Sequence, residues 1–393
     1  MSQTNIGYQK KDLPESFAKI GWGLLIAGAV AGAIGFYIDS TRASFSYLVA
    51  FMLLMSVGIG SLFLVALEYI AGADWSTPIR RIPEHLATII PFLLILSIPL
   101  ILNVNNLFHW THPGDDKLLL HKAPYLNVTF FIIRVFVCLA LWGLFYFLIT
   151  KNSLKQDSTK DQLLTKKNIK LSAIFIPLFA ITITISAIDW MMSLEPHWFS
   201  TIFGVYYFSG TVVVALAAVT IIVVNLKEKG YLSSRLTNDH LFSLGALMFA
   251  FINFWAYIAF SQYMLIWYAD LPEETFWFLH RWEGIWVYVS LLMIVMNFLV
   301  PYITLLSQPA KMDPKKLKFV AVWLLVAKFV DYYWLIVPNM KADAHGFVFS
   351  WMDIVYPVAF AGLIMVVFNA RVKKTNLIPV GDPKLERGLN FHL

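Results

Sequence analysis

The segment YLVAFMLLMSVGIGSLFLVALEYIA, residues 47–71, decides the fold class of this protein. It contains one charged residue, Glu68, and it exceeds the roughly 20 apolar residues that cross the hydrocarbon core of a bilayer. Over the 393 residues, 59% are hydrophobic and 14% are charged. A soluble domain has about 45–50% apolar and about 25% charged residues. The sequence therefore predicts an all-α integral membrane protein.

Ten stretches of the chain are long and apolar enough to cross a membrane. They cover residues 20–37, 47–71, 86–108, 128–150, 169–190, 203–226, 241–268, 276–302, 317–337 and 347–368. The longest connections, 109–127 and 151–168, are too short to fold alone. The tail from Arg371 onward contains two prolines and two glycines and is predicted to be extended. Any water-soluble catalytic domain must then belong to another chain.

Spans two to five resemble spans six to nine. Residues 76–86 (STPIRRIPEHL) open span three and residues 232–241 (LSSRLTNDHL) open span seven, each ending in His-Leu. Asp189-Trp190 ends span five, while Asp331 and Trp334 lie near the end of span nine. These matches predict two four-helix bundles related by a parallel repeat, residues 44–199 and 200–338. Residues 1–43 and 339–393 carry the two flanking helices.

Lysine and arginine are distributed very unevenly between the two sides of the predicted membrane domain. The tails, the loops after even-numbered spans and the span ends next to them hold 23 of the 30, and Arg134 and Lys328 lie deeper within spans. By the positive-inside rule, both termini are predicted to be cytoplasmic. The net charge of +6 is then an orientation signal and does not indicate nucleic-acid binding. The opposite side holds five: Arg42, Lys117, Lys122, Arg281 and Lys341.

Ionisable residues inside spans are candidates for proton transfer. Thr182, Ser186 and Asp189 follow one helical stripe, and the alternative is that the two hydroxyls bond to their own helix. Lys328 precedes Asp331 by three residues, and the alternative there is a self-neutralising ion pair. Lys328 lies beside Asp331, whereas the hydroxyl stripe of Asp189 has no cation beside it. Asp189 is therefore expected to conduct protons, and Asp331 is expected to have a mainly structural role.

Other polar residues near span ends have the same two interpretations. Glu68, Asp74 and His85 could together form the inner mouth of a proton path, or they could be ordinary helix ends. Asp353, in span ten, is equally ambiguous. Arg134 has no acid within a helical turn, so it needs a partner from another helix, and Asp189 lies at a compatible depth.

No redox centre or metal site is indicated by the sequence. The single cysteine, Cys138, excludes an internal disulfide, a c-type haem attachment motif and a four-cysteine iron–sulfur site. A transmembrane b-type haem needs axial ligands on facing helices. All nine histidines instead lie at span ends, in loops or in the tail: His85, His109, His112, His121, His197, His240, His280, His345 and His392.

The segment SAIDWMMSLEPHWFSTIFGVYYFSG, residues 186–210, resembles the ActF family of bacterial alternative complex III. The similarity extends over essentially the whole chain, including the 75–85 loop and the ten-span plan. That family belongs to the NrfD-like, polysulfide-reductase-C membrane proteins. The resemblance implies two four-helix bundles in a bacterial cytoplasmic membrane and proton-pathway candidates among the acidic residues.

The resemblance also implies partners. These are a paralogous NrfD-like membrane protein, which is credited with quinol oxidation, and further subunits that carry c-type haems and iron–sulfur clusters. The complex would pass electrons to cytochrome c or a terminal oxidase. This chain is then expected to be a subunit of a quinol:cytochrome c oxidoreductase that is not catalytic alone, scaffolds the membrane part and conducts protons.

Two alternatives remain open at the level of sequence. In the first, the chain has its own quinone site at the outer end of bundle one, around Arg134, Asp189 and His109, since a quinol needs a base and hydrogen bonds to its oxygens. In the second, it is a secondary transporter, which a parallel repeat also permits. Against the transporter, Pro91 and Pro99 of span three have no counterparts in span seven.

Overall fold

The computed structural model describes residues 6–340 and 349–393, and within these ranges it is helical without any strand. Ten helices in the described ranges are long and apolar enough to cross a membrane. They are α1 Glu15–Ile38, α2 Ser40–Ala71, α3 Thr77–Leu102, α4 Val128–Thr159, α5 Gln162–Trp190, α6 Phe203–Glu228, α7 Asn238–Ala269, α8 Trp286–Leu305, α9 Pro314–Ile336 and α10 Met352–Lys374. The predicted all-α membrane fold is confirmed.

Polar residues start several of these helices by satisfying free backbone N–H groups. The Asp39 carboxylate accepts from Arg42 N at the start of α2, and Asn127 accepts from Phe130 N at the start of α4. Thr237 and His240 form a capping box at the start of α7. These caps lie between apolar stretches, and each one marks the residue at which the next helix begins.

Helices α2 and α6 form the centre of the molecule and contact each other. Helix α2 also contacts α3 and α5, and α4 packs against the same two helices. In the same way, α6 and α8 each contact α7 and α9. We call the side on which α1 begins and α10 ends the tail side, and the opposite side the far side.

Helix α1 lies at the edge of the molecule and packs closely against α10. Its buried residues are all glycines: Gly21, Gly28, Gly32 and Gly35. A Cβ atom on Gly28 would lie 2.8 Å from the Cα of Ala359. Small residues allow two transmembrane backbones to approach closely, so these glycines position α1 against α10.

Helix α3 differs from its predicted extent. Residues 75–85, predicted to be a connection, contain the helices Thr77–Ile79 and Arg81–Leu86, and their side chains are buried. The rest of α3 is broken into short helices in which Pro91 and Pro99 occupy first-turn positions. Because proline has no N–H, each break falls where a regular helical hydrogen bond is missing.

Helix α8 is also interrupted, although residues 276–302 were predicted to be one span. Pro272–Leu279 forms a separate helix, and α8 itself begins at Trp286. Residues 295–299 form a π-helical turn ahead of Pro301. The proline ring conflicts with the carbonyl four residues earlier, so a local change of helical register relieves that contact.

The C-terminal tail folds back onto the tail side, so the prediction of an extended tail is wrong. Leu377, Ile378, Leu385 and Leu389 are buried, and Leu385–Leu389 forms a short helix. The connection predicted at 151–168 is largely helical, because α4 continues to Thr159 and α5 begins at Gln162. The residues Lys341, His345 and Phe347, used in the sequence analysis, lie outside the described residues.

Candidate functional site

Asp189 and Arg134 form a bidentate ion pair at the far-side ends of α5 and α4. Arg134 Nε lies 2.7 Å from Asp189 Oδ2, and Nη2 lies 3.0 Å from Oδ1. The Tyr125 hydroxyl donates to Oδ1 at 3.1 Å. Burial raises the pKa of the Tyr125 hydroxyl, so it keeps its proton and remains a donor. The pairing of Arg134 with Asp189 that their compatible depths predicted is present, whereas the expectation that the hydroxyl stripe of Asp189 has no cation beside it is wrong.

The hydroxyl stripe that precedes Asp189 is engaged by its own helix and by α4. Thr182 Oγ1 donates to Leu178 O and accepts from Trp142 Nε1, both at 2.8 Å. Ser186 is buried beside the Cys138 thiol. The bond from Thr182 to Leu178 O is the own-helix bond of the structural alternative, and the bond from Trp142 also links α4 to α5.

Lys328 and Asp331 form a second buried ion pair, on α9. Lys328 Nζ lies 3.0 Å from Asp331 Oδ2, and both residues are at most 1% exposed. The Tyr206 hydroxyl of α6 donates to Asp331 Oδ1 at 2.5 Å. Lys328 Nζ also lies 3.6 Å from the centre of the Trp255 ring on α7. This pair therefore ties three helices of the second bundle together.

A cluster of hydroxyl groups joins the two bundles between α2, α6 and α9. Ser56 Oγ lies 2.9 Å from the hydroxyl of Tyr332, 3.1 Å from that of Tyr207 and 3.3 Å from Thr211 Oγ1. Tyr332 follows Asp331 directly in the sequence. This cluster was not predicted from the sequence, although the pairs Tyr206-Tyr207 and Tyr332-Tyr333 within apolar spans are a signal for it.

Asp353 pairs with Arg42, a residue that the sequence analysis assigned to a connection. Arg42 lies in the first turn of α2, and its guanidinium bonds directly to the Asp353 carboxylate of α10. Ser46 Oγ and the backbone N–H of Ser350 donate to the same carboxylate at 2.6 and 2.8 Å. Asp353 therefore anchors α10 to α2 on the far side.

Glu68, Asp74 and His85 each bind a different partner on the tail side. Glu68 Oε1 accepts from Arg80 at 3.0 Å. His85 Nε2 lies 2.8 Å from Thr375 Oγ1, at the end of α10. Asp74 pairs with Arg387 at 2.9 Å. Two of these three residues thus contact the C-terminal part of the chain.

Arg80 and Arg81 both pair with Glu84 and form the centre of a buried charge cluster. Arg80 bonds to the Asp382 carboxylate of the C-terminal tail, and Arg81 lies 2.8 Å from Glu84 and from Asp157. Arg80 and Arg81 are 2% and 0% exposed. We call residues 68, 80, 81, 84, 157 and 382 the tail-side charge cluster.

His109 begins a short 3₁₀ helix, His109–Thr111, in the α3–α4 connection. The next residue, Trp110, donates from Nε1 to Ser193 Oγ at 3.3 Å. Ser193 Oγ in turn donates to the backbone carbonyl of Asp189 at 2.7 Å. The segment that carries His109 is therefore docked on the far-side end of α5.

A cavity of about 490 Å³ lies in the second bundle. This cavity was not predicted from the sequence. It separates the far-side half of α7 from residues 286–294 of α8, whereas α7 packs against α8 from residue 295 onward. Aromatic side chains form most of its wall, and Tyr206 connects it to the Lys328–Asp331 pair. The residues that line it include Tyr206, Trp255, Gln262, Tyr263, Phe278 and Trp334.

Within residues 6–340 and 349–393, no group of three His, Cys, Asp or Glu side chains is arranged to hold a metal ion. Comparison with models of known protein families and with curated proteins gave no match.

Proposed function

We propose that this protein is an integral membrane subunit of a quinol-oxidising respiratory complex of the alternative complex III type. It scaffolds the membrane part beside a paralogous NrfD-like protein and carries no redox centre of its own. The observation that carries the proposal is the resemblance of residues 186–210 to the ActF family. Partner subunits with c-type haems and iron–sulfur clusters would supply the electron path to cytochrome c or a terminal oxidase.

The position of residues 186–210 in the fold supports this proposal. They form the far-side junction between α5 and α6, and so connect the two groups of four helices. Trp198 of this junction stacks on Trp277 at 4.4 Å between ring centres. The Arg134–Asp189 pair fixes its other end. A rigid junction on this side would offer a firm docking surface to the haem and iron–sulfur subunits.

A proton-conducting role is the second part of the proposal. The Ser56 hydroxyl cluster and the Tyr206–Asp331–Lys328 group place polar atoms deep between otherwise apolar helices. Polar groups at such positions are costly in a membrane and are often functional. The contacts of Arg134–Asp189 and Arg42–Asp353 instead fit helix anchoring, so we place the proton path nearer the centre of the molecule.

Co-purification tests the proposed assembly. An affinity tag after Leu393 on the exposed end of the chain, with gentle detergent extraction, is expected to recover haem- and iron–sulfur-bearing partners. The readouts are cytochrome absorbance and mass spectrometry of the recovered chains. Recovery of a colourless, monodisperse single chain would contradict the proposed complex and would favour a transporter.

We further propose that both termini lie in the cytoplasm. Arg80 and Arg81 are buried in ion pairs, but the other tail-side lysines and arginines still far outnumber those of the far side. Single cysteines at the exposed Asp115 and Ser158 test this orientation, since native Cys138 is buried. A membrane-impermeant maleimide applied to intact cells should label Asp115→Cys and spare Ser158→Cys. The reverse labelling would overturn the orientation.

A further inference from the structure

A groove of about 350 Å³ lies between α1, α3 and α10, on the outer surface of the helix assembly. Ala29 and Ala33 of α1 form part of one wall, and Ile95 on the rim is 64% exposed, so the groove opens onto the surrounding lipid. The hydroxyls of Tyr47 and Tyr356 in its wall already donate to backbone carbonyls. The groove thus has the size of a ligand site, about 300–1,000 Å³, and its described side chains offer no free donor, which suits an acyl chain.

The groove leads toward the tail side along one face of two helices. On α10, Arg371 lies about three helical turns beyond Phe360, which lines the groove, and therefore on nearly the same face. On α3, Thr88 precedes Phe92 of the groove wall by four residues. Helix α10 contacts this part of α3, and Arg371 interacts electrostatically with Tyr146, whose hydroxyl donates to Thr88 Oγ1 at 2.9 Å. Arg371 and Thr88 therefore lie near each other at the tail-side end of the groove.

Arg371 is the one arginine of the described residues whose guanidinium has no hydrogen-bond or ion-pair partner. It is half-buried, and its Nε is shielded from solvent. Of the other seven arginines, six pair with carboxylates and Arg281 donates to three backbone carbonyls. Lys373 and Lys374 lie in the same last turn of α10, and no carboxylate within the described ranges pairs with them. This end of α10 therefore carries three cations without a counter-charge.

Arg371 and Thr88 together have the donors that a phosphate group requires. Thr88 Oγ1 accepts from Tyr146, and its own proton has no acceptor among the residues that the structure describes. An arginine guanidinium can donate two parallel hydrogen bonds to phosphate oxygens, and the hydroxyl adds a third donor. Because Lys373 and Lys374 add to the positive charge, an anionic head group is favoured over a zwitterionic one.

From these observations we infer that the groove between α1, α3 and α10 binds an anionic phospholipid of the tail-side leaflet. The phosphate lies between Arg371 and Thr88, and one acyl chain occupies the groove. Phe360 lies about 16.5 Å from Arg371 along the helix axis, close to the depth of one leaflet of hydrocarbon, about 15 Å. An acyl chain whose head group lies at Arg371 therefore reaches the groove. The site is independent of the proposed function, because it involves only this chain and a lipid.

Photolabelling of the purified protein in detergent, together with any chains that co-purify, tests this inference. The probe is phosphatidylglycerol with a diazirine near the end of one acyl chain, and the labelled peptides are identified by mass spectrometry with and without excess unlabelled phosphatidylglycerol. We expect competed label on residues 25–36 of α1, 92–99 of α3 and 356–363 of α10. Phosphatidylcholine with the same acyl chains should compete about tenfold less well, because its head group has no net charge.

Substitutions of Arg371 test the head-group end of the site. Arg371→Gln should reduce competed labelling about tenfold at sub-saturating probe, because a charge-assisted hydrogen bond to phosphate is lost. Arg371→Lys, which keeps the charge but not the planar guanidinium, should label more strongly than Arg371→Gln. Lys170→Gln is the matched control, since it removes an exposed tail-side cation from α5, which packs against α2, α4 and α6. It should label like the unaltered protein.

Ala29→Phe tests the groove separately, because it places a ring in the space that the acyl chain would occupy. It should remove most of the competed label. Ala27→Phe is its control, since Ala27 is exposed, lies on the opposite face of α1 and is not part of the groove wall. If Arg371→Gln does not fold, this second pair of variants still tests the site.

Four outcomes would overturn the inference. They are label spread evenly over the lipid-facing helices, equal competition by phosphatidylcholine, competition by water-soluble glycerol 3-phosphate at the concentrations at which the lipid competes, and equal labelling of Ala29→Phe and Ala27→Phe. Failure to recover haem-bearing partners would contradict the proposed function but would leave this site intact.

Discussion

At the scale of single residues, the charged side chains that are buried in the protein each need a partner that compensates their charge. Arg281 shows one solution, because it is 1% exposed and donates to three backbone carbonyls, those of Trp277, Trp334 and Leu335. Its guanidinium also stacks 3.4 Å from the centre of the Trp277 ring. Lys328 shows the other solution, a carboxylate three residues away on the same helix. Removing such a partner leaves an uncompensated buried charge.

Asp331→Asn is expected to destabilise the protein by about 3–5 kcal/mol, because Lys328 would remain buried without its counter-charge. The measurement is the thermal unfolding temperature in detergent, together with the yield of assembled protein. Replacing both partners, Lys328→Met with Asp331→Leu, should restore much of the loss, since two apolar groups leave no buried charge. Unchanged stability of Asp331→Asn would contradict this account of the pair.

The same double substitution distinguishes a structural role of Asp331 from a role in proton transfer. If it assembles with its partners, quinol:cytochrome c turnover and proton release in liposomes can be compared with those of the unaltered complex. Normal turnover and proton yield would exclude Asp331 from the proton path.

At the scale of elements, the edge helix α1 depends on close backbone contact with α10. Gly28 and Gly23 are five residues apart in α1 but have opposite surroundings. A Cβ on Gly28 would meet the backbone of Ala359, whereas no atom lies within 4 Å of a Cβ on Gly23. The pair therefore offers a substitution and its control within one helix.

Gly28→Val should separate α1 from α10 and lower stability by about 1–3 kcal/mol, the usual cost of overpacking. Gly23→Val should have little effect, because its side chain would extend into open space. Both variants can be compared by thermal unfolding in detergent and by cross-linking between α1 and α10. Equal effects of the two substitutions would be incompatible with the packing described for α1.

At the scale of the whole molecule, the C-terminal tail holds the two bundles together on the tail side. Asp382 bonds to Arg80 of α3, and the carbonyl of Gly388 lies 2.8 Å from His240 Nε2 of α7. A Cβ on Gly381 would collide with the backbone of Gln156 at the end of α4. The tail thus contacts helices from both groups of four, although they are far apart in sequence.

Truncation after Thr375 should therefore loosen the tail side of the molecule. It removes Asp382 from the tail-side charge cluster and exposes the apolar surface that Leu377 and Ile378 cover. We expect a lower unfolding temperature and faster proteolysis of the α4–α5 turn near residue 160. Deleting only Leu393, which is 61% exposed, is the control and should have no effect. A truncated protein as stable as the full chain would show that the tail packs without contributing to stability.

The sequence by itself determined the class of this protein and the approximate positions of its spans. Apolar runs such as residues 47–71 exceed the length of a membrane crossing, and that property depends on local composition alone. It also identified charged residues that need partners, including Arg134 and Lys328. For Lys328 the partner lies one helical turn away, so spacing along the chain was sufficient.

Only the tertiary structure decided which distant groups meet. Arg42 and Asp353, Arg80 and Asp382, and Ser56 and Tyr332 are separated by hundreds of residues, and periodicity contains no information on such pairs. The same holds for the folded tail and for the α7–α8 cavity. The cavity lies between α7 and residues 286–294 of α8, beyond the π turn before Pro301, and such a gap depends on how two helices pack together and not on the sequence of either one.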